Sequence, residues 1–356
     1  MALTKEQQAV IAASALGRKK MLALDALALA AVVKSYQGAV QDIVQLVTVV
    51  AGGAGGTVAP AALPSLMLQV HARLGNLAGA RNATLMDGIQ QAATIGATPF
   101  TPTVNAAQLD SIRIEAAQFT RDVVGPDKLK LSDRIWRLDR HANEIVSQEV
   151  RNAVMRGDGA AQAAREFLAR GIAPPADIAL AKNAAIARNI GATVEKGLLT
   201  GRGAPLDNAM RVMTTEINRA HTTAYQKSAA ADPDSIGTQF LLSPRHPRVD
   251  ICDMHARANL HGLGPGVYPH GRSPLPAHPR TLSFEVIVYR DEVTAADRAG
   301  KQTVTEFLDT VPSHDRKGIL GVNKNEAFEA GKLPATQVRS RWRDVQKRIG
   351  RNIESQ

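Results

Sequence analysis

Residues 132–157 read SDRIWRLDRHANEIVSQEVRNAVMRG. Within them Ile135, Leu138, Ala142, Val146, Val150 and Ala153 recur at intervals of three or four, which puts these six side chains on one stripe of an α-helix and does not fit the two-residue period of a strand. Ser132 is a suitable N-cap and Gly157 stands where a C-terminal glycine belongs, so the spacing predicts a helix over 132–157. The composition extends this reading to the whole chain. Aromatic residues make up only 4% of a sequence that is 44% apolar, and alanine is abundant, so cores must be built from Ala, Leu, Ile and Val. Such cores suit helix packed on helix better than a β-sandwich.

Upstream, Thr4 and Gln7 have the spacing of a capping box and open a helical region that runs through residues 22–33 to Val50. From Ile43 to Val70 no residue is charged, a length sufficient to span a bilayer, but Gly52-Gly53, Gly55-Gly56, Pro60 and Pro64 break it. The expected arrangement is two amphipathic helices joined by a Gly/Ala link, with no membrane partner. Residues 65–95 read as the second helix, and Thr98-Pro-Phe-Thr-Pro102-Thr as a turn. Residues 1–104 therefore form an N-terminal helical arm or bundle without chemistry of its own.

Downstream, helices are expected at 160–170, at 176–199 after Pro174-Pro175, and at 207–231, the last with Met213, Ile217, Ala220 and Ala224 on one stripe. Residues 105–231 thus make a helical layer. Asp232-Pro-Asp234 signals a turn, residues 238–242 read as a strand, and Ser283–Tyr289 is the clearest strand because β-branched and aromatic residues cluster there. Between the strands, 243–281 holds seven of the 18 prolines and reads as one long irregular loop. Residues 232–292 form a small α+β module, and 293–356 return to helix. The fold class is α+β, predominantly α-helical.

The 356 residues suffice for about two domains, and 21% charged residues exclude wholesale disorder. A single cysteine, Cys252, excludes an intramolecular disulfide and fits a reducing, cytoplasmic history. The N-terminal residues lack a basic stretch leading into an apolar run, so export by a signal peptide is not expected. The formal net charge of +10 favours polyanionic partners such as double-stranded DNA or acidic protein surfaces.

Five of the nine histidines, His246, His255, His261, His270 and His278, fall within 33 residues of the proline-rich loop, together with Cys252. Cys252-Asp-Met-His255 is a C-x-x-H pair whose spacing lets a thiolate and an imidazole reach one zinc, with His278 and one of His246, His261 or His270 completing four ligands. The other reading has the histidines hydrogen-bonding loop carbonyls and the cysteine serving as a small buried hydrophobe. His270 is carried with Cys252, His255 and His278 as the provisional ligand set. Asp250 and Asp253 suit a hard cation, although loop aspartates more often build turns. A nucleophilic Cys252 lacks a glycine-rich oxyanion element beside it. Gly262-Leu-Gly264-Pro-Gly266 lacks the Gly-Lys-Ser/Thr of a phosphate loop. On the 207–231 helix, Glu216 and Arg219 are spaced to pair on one face. No catalytic constellation stands out, so an enzyme is not expected.

At the other end of the chain, Arg339, Arg341, Trp342, Arg343, Lys347, Arg348 and Arg351 concentrate positive charge around one tryptophan, as contact with phosphates or an acidic protein face requires. A solvated helix is the competing reading.

Three segments together resemble the phage Mu F-like minor head proteins: the helix Met213-Thr-Thr-Glu216-Ile-Asn-Arg219-Ala220; the loop His246-Pro-Arg-Val-Asp250-Ile-Cys252-Asp-Met-His255-Ala; and Gly262-Leu-Gly-Pro-Gly-Val-Tyr268-Pro with Pro276-Ala-His278-Pro279. Leu131-Ser-Asp133-Arg134-Ile-Trp136 is similar to the start of that family's helical part, so the resemblance covers roughly residues 130–292. It implies a head morphogenesis protein, present in few copies, that associates with the portal protein and the major capsid or scaffolding protein during DNA packaging. The implied location is the host cytoplasm during assembly and then the virion. No enzymatic activity is implied. Many members read His-Pro-x-Cys-x-Cys where this chain has His278-Pro-Arg-Thr281-Leu-Ser283, and many carry arginine at the position of Thr214. Cys252, His255 and His278 are then the matching ligands for a metal, with a zinc-dependent hydrolase or phage-borne toxin as the alternative function.

Overall fold

The computed structural model describes residues 3–52, 58, 60–125, 127–169, 185–244 and 246–354. The described helices are α1 (Lys5–Gly52), α2 (Leu63–Ala97), α3 (Ala106–Asp122), α4 (Leu131–Ala169), α5 (Ala185–Leu199), α6 (Pro205–Ala231), α7 (Ile251–Arg257), α8 (Ala295–Ala299), α9 (Val304–Thr310), α10 (Ser313–Leu320), α11 (Val322–Glu329) and α12 (Trp342–Glu354). The strands are β1 (Ser235–Leu241), β2 (Val267–Pro269) and β3 (Phe284–Tyr289). The chain is mostly helical with one small antiparallel sheet, as its composition requires. Among the described residues, no helix is long and apolar enough to cross a membrane.

The compact units do not follow the expected boundaries at 104, 231 and 292. One unit is 23–89 with 119–217; the other is 1–22 with 90–118 and 218–356. Among the described residues the first contains helices and no strand. Val32, Tyr36, Ile43, Leu66, Val70, Leu85, Leu138, Val146, Val150, Val194 and Leu198 are buried in it, and α4 packs along α5. The stripe read from residues 132–157 supplies the α4 face of this core. Tyr36 also donates its hydroxyl to the Pro205 carbonyl at 3.4 Å.

Two details of α4 differ from expectation. The helix starts at Leu131 rather than after Ser132, because the Asp133 carboxylate reaches back to the Lys130 amide at 2.9 Å and satisfies an end the Ser132 hydroxyl was expected to cap. Gly157 does not end it. The helix continues to Ala169, since the alanines at 160, 161, 163 and 164 offset a glycine cost of about 1 kcal/mol, and the separate 160–170 helix is part of α4. The Gly/Ala link at 53–57 and the start of the helix expected at 176–199 lie outside the described residues.

In the second unit the Thr4–Gln7 capping box is present, with Thr4 N to Gln7 Oε1 at 2.9 Å and Gln7 N to Thr4 Oγ1 at 3.2 Å. The strand order is β2-β1-β3, antiparallel throughout, with an irregularity between Ser235 and Gly237 where β1 pairs with β3. Tyr225 ties α6 to this sheet: its hydroxyl accepts the Ile287 amide at 3.0 Å and lies 2.9 Å from Ser14 Oγ, while its ring meets Phe100 edge-on at 5.0 Å. Gly96 allows α2 to lie against α6 here, because a Cβ at that position would fall 2.3 Å from the His221 carbonyl oxygen. A second core joins Met254, Phe307, Leu308, Ile319, Leu320, Leu333, Val338 and Val345, with Trp342 and Ile349 against it.

Glu285 on β3 is buried, accepting from Gln226 Nε2 at 3.1 and 3.0 Å and from the Ser273 hydroxyl. Burial pushes its carboxyl up to about 7 from 4.5, against the lowering effect of those hydrogen bonds. The folded protein therefore keeps a proton that the unfolded chain has lost between these two values. The contribution of Glu285 to stability should be greatest below about pH 4.5 and fall by about 3 kcal/mol as pH rises to about 7. Urea titrations across this range should show the wild type losing about 3 kcal/mol relative to Glu285→Gln as pH rises, and a constant difference between the two would refute it.

Candidate metal centre

The expected irregular loop at 243–281 contains structure that local sequence did not announce: α7 and β2 both lie within it. Asp250 starts α7. Its Oδ1 accepts the Cys252 amide at 2.7 Å, and Asp253 Oδ2 accepts the Asp250 amide at 2.9 Å, a capping box built from two aspartates. A helix this short holds only because both its faces are packed. Cys252 belongs to a cluster with Phe240, Tyr268 and Leu275, and Met254 to the core formed with the C-terminal helices. Gly266 feeds β2 at φ +73°, where a Cβ would meet the Ala256 and Phe240 carbonyl oxygens at 2.6 and 2.9 Å.

This packing brings Asp250, Cys252 and His278 together. His278 Nε2 lies 3.2 Å from Cys252 Sγ and 3.3 Å from Asp250 Oδ2, and its Nδ1 is 2.8 Å from the Pro279 carbonyl oxygen. Thr281 Oγ1 is 3.7 Å from the same sulfur. The hydrogen bonds to Asp250 and then to Cys252 hold His278 protonated, raising its pKa to about 10. Burial raises Asp250, but the His278 bond and the Cys252 amide outweigh it and bring the carboxyl down to about 2. Cys252 is 0% exposed.

The other provisional ligands go elsewhere. His270 Nε2 bonds the Ser235 carbonyl at 3.1 Å, which places it at the sheet. His246 Nε2 pairs with Asp253 at 2.8 Å, and the His261 ring packs edge-on to Tyr268 at 5.4 Å. His255 is 2% exposed, with Nδ1 2.9 Å from the Tyr268 hydroxyl. Its Nε2 is buried without a hydrogen-bond partner, and burial pushes its pKa down to about 3.

Glu216 pairs with Arg134, whose Nη1 is 2.8 Å from Glu216 Oε1 and whose Nη2 is 2.8 Å from Asp127. Trp136 is 58% exposed, with the Arg140 guanidinium 5.4 Å above its ring. In the basic tail, Trp342 packs on the C-terminal core and is not an exposed contact residue, and Arg339 reaches the Pro274 carbonyl at 3.5 Å. Arg341, Arg343, Lys347 and Arg348 are exposed, and the side chain of Arg351 lies outside the described residues.

Sequence reasoning missed Arg134 as the partner of Glu216, Tyr268 as the partner of His255, and Thr281 beside the thiol. Each pairs with a residue distant in sequence, so no local spacing marks it. No family model, curated protein or solved structure matches the chain.

Proposed function

We propose that this protein is a minor structural component of a phage head, acting in head assembly and DNA packaging beside the portal and the major capsid or scaffolding protein. One observation supports the reading above the others: segments on which the resemblance rests meet in one buried hydrogen-bonded cluster. Asn218 of the α6 segment donates to the Thr281 carbonyl at 3.1 Å, the Cys252 loop meets His278, and Tyr268 of the glycine-rich segment holds His255. Such a cluster stabilises a scaffold. The burial of Cys252 favours this over a hydrolase or toxin in which Cys252, His255, His278 and Glu216 act on a substrate, since Glu216 is itself buried against Arg134. The exposed Arg341, Arg343, Lys347 and Arg348 suit steeply salt-dependent, sequence-independent contact with packaged DNA.

Quantitative mass spectrometry of particles from the phage or prophage encoding this chain tests the proposal. The expected result is a low, reproducible stoichiometry close to that of the portal. Absence from particles, with the protein free in the lysate, would refute it.

A further inference from the structure

Residues 271–283, which join β2 to β3, form neither helix nor strand, and they cover two buried groups at once. Toward one end the Ser273 hydroxyl donates to Glu285, a residue 7% exposed. Toward the other, Leu275 packs in the cluster that holds Cys252, His278 Nε2 lies 3.2 Å from the sulfur and Thr281 Oγ1 lies 3.7 Å from it. Lifting this one segment therefore exposes the carboxyl and the thiol together.

The segment adds nothing to the sheet, and side chains tether it. Asn218 Nδ2 donates to the Thr281 carbonyl at 3.1 Å, Arg339 Nη2 to the Pro274 carbonyl at 3.5 Å, the Arg18 guanidinium to the Leu282 carbonyl, and His278 Nε2 to Asp250 Oδ2 at 3.3 Å. None of these changes charge between pH 5 and pH 8: arginine stays protonated, and the mutual hydrogen bond puts His278 at about 10 and Asp250 at about 2. The tether at Ser273 differs, because its acceptor is a carboxyl that titrates close to neutrality.

The groups bonded to that carboxyl are uncharged: Ser273 from the segment, Gln226 Nε2 from α6 at 3.1 and 3.0 Å, and Thr238 from β1. Tyr225 from α6 and Tyr268 from β2 sense its charge, and burial keeps both phenols neutral. Among the described residues no cation pairs with it. An ionised Glu285 thus has hydrogen bonds but no counter-charge, and a buried lone charge is costly. Water reaches it when Ser273 moves away.

We propose that residues 271–283 are a proton-gated strap: loss of the Glu285 proton favours a lifted state in which Cys252 is open to solvent. With the strap down, burial holds the carboxyl at about 7; with the strap lifted, it returns toward 4.5. The lifted state therefore gains population as pH rises between these values, and the gain levels off above about pH 7. The strap stands apart from the head assignment, since its opening is read on the purified chain whether or not the protein enters a particle.

Cys252 is the only cysteine, so a thiol reagent reports on it alone. Full-length wild type and Glu285→Gln are labelled with a maleimide under native conditions at pH 6, 7 and 8, at concentrations where the rate follows the open population. Comparing the two at each pH removes the pH dependence of the reagent and of the thiol. The wild-type rate relative to Glu285→Gln is expected to rise about tenfold from pH 6 to pH 8, most of it by pH 7. A constant ratio would overturn the strap. Ser273→Ala at pH 6 is expected to label roughly 2–12-fold faster than wild type, the worth of one ordinary hydrogen bond, and an unchanged rate would remove the tether on which the proposal stands. A labelling rate that climbs with urea as steeply as global unfolding would also overturn it, because exposure would then require the whole unit to unfold. Should Glu285→Gln fail to fold, hydrogen exchange in the wild type decides. Corrected for intrinsic rates, exchange of the Leu275 and Thr281 amides, bonded at 3.3 and 3.2 Å, is expected to quicken about tenfold from pH 6 to pH 8, with less urea dependence than α6. Unchanged protection there would refute the gating.

Discussion

Arg134→Ala should destabilise the unit formed by 23–89 and 119–217 by about 3–5 kcal/mol, the loss expected when one member of a buried ion pair is removed. Glu216 is 1% exposed, and its carboxylate lies 2.8 Å from Arg134 Nη1. The guanidinium has further obligations that lysine cannot meet: Nε and Nη2 grip both oxygens of Asp127 at 3.1 and 2.8 Å, and Nη2 also reaches the Leu129 carbonyl at 3.1 Å. Arg134→Lys should therefore recover only part of the loss. Replacing both Arg134 and Glu216 with apolar residues of similar volume should recover most of it, because no charge is then stranded in the core. Urea midpoints compared across these variants check the prediction. A loss under about 1 kcal/mol for Arg134→Ala would show that the pair behaves as a solvated one.

Phe240→Ala should be of similar size, about 3–5 kcal/mol, through the transfer and cavity costs of deleting a buried aromatic ring. The ring is 0% exposed and lies 5.6 Å, centre to centre, from that of His255, in the cluster holding Cys252, Tyr268 and Leu275. Its removal opens space directly beside the thiol. Besides a lower urea midpoint, Cys252 should react with a thiol reagent markedly faster in the variant than in the wild type. Equal rates would mean that the cluster collapses to refill the space.

The parts of this fold that were legible in the sequence are those whose information is local. The Thr4–Gln7 capping box, the apolar stripe from Ile135 to Val150 and the β-branched run before Tyr289 each carry their own period or cap, and each forms as read. The segment 243–281 defeated the same reasoning because prolines suppress both periods, and α7 exists through tertiary cover rather than propensity. Helix α3 was not singled out although it carries a local start signal, Asn105, whose Oδ1 accepts the Gln108 amide at 2.9 Å. Clustering of histidines with the single cysteine marked the loop but not which of its side chains meet. Cys252 and His255 are neighbours on a helix, and which of the distant histidines joins them depends on how the chain returns: His278 comes back to the sulfur, while His270 is drawn to the Ser235 carbonyl.

The cover on α7 arrives late. Met254 is buried among Phe307, Leu308, Ile319, Leu320 and Val345, and α10 approaches so closely that a Cβ at Gly318 would lie 2.6 Å from the Val249 carbonyl oxygen. A ribosome therefore releases residues 250–257 long before the chain that will hide them. Until α9 to α12 emerge, the nascent protein presents the apolar Met254 face of α7, the kind of exposed patch that chaperones and proteases read. A product cut short before Phe307 would leave the Met254 face of α7 without that cover.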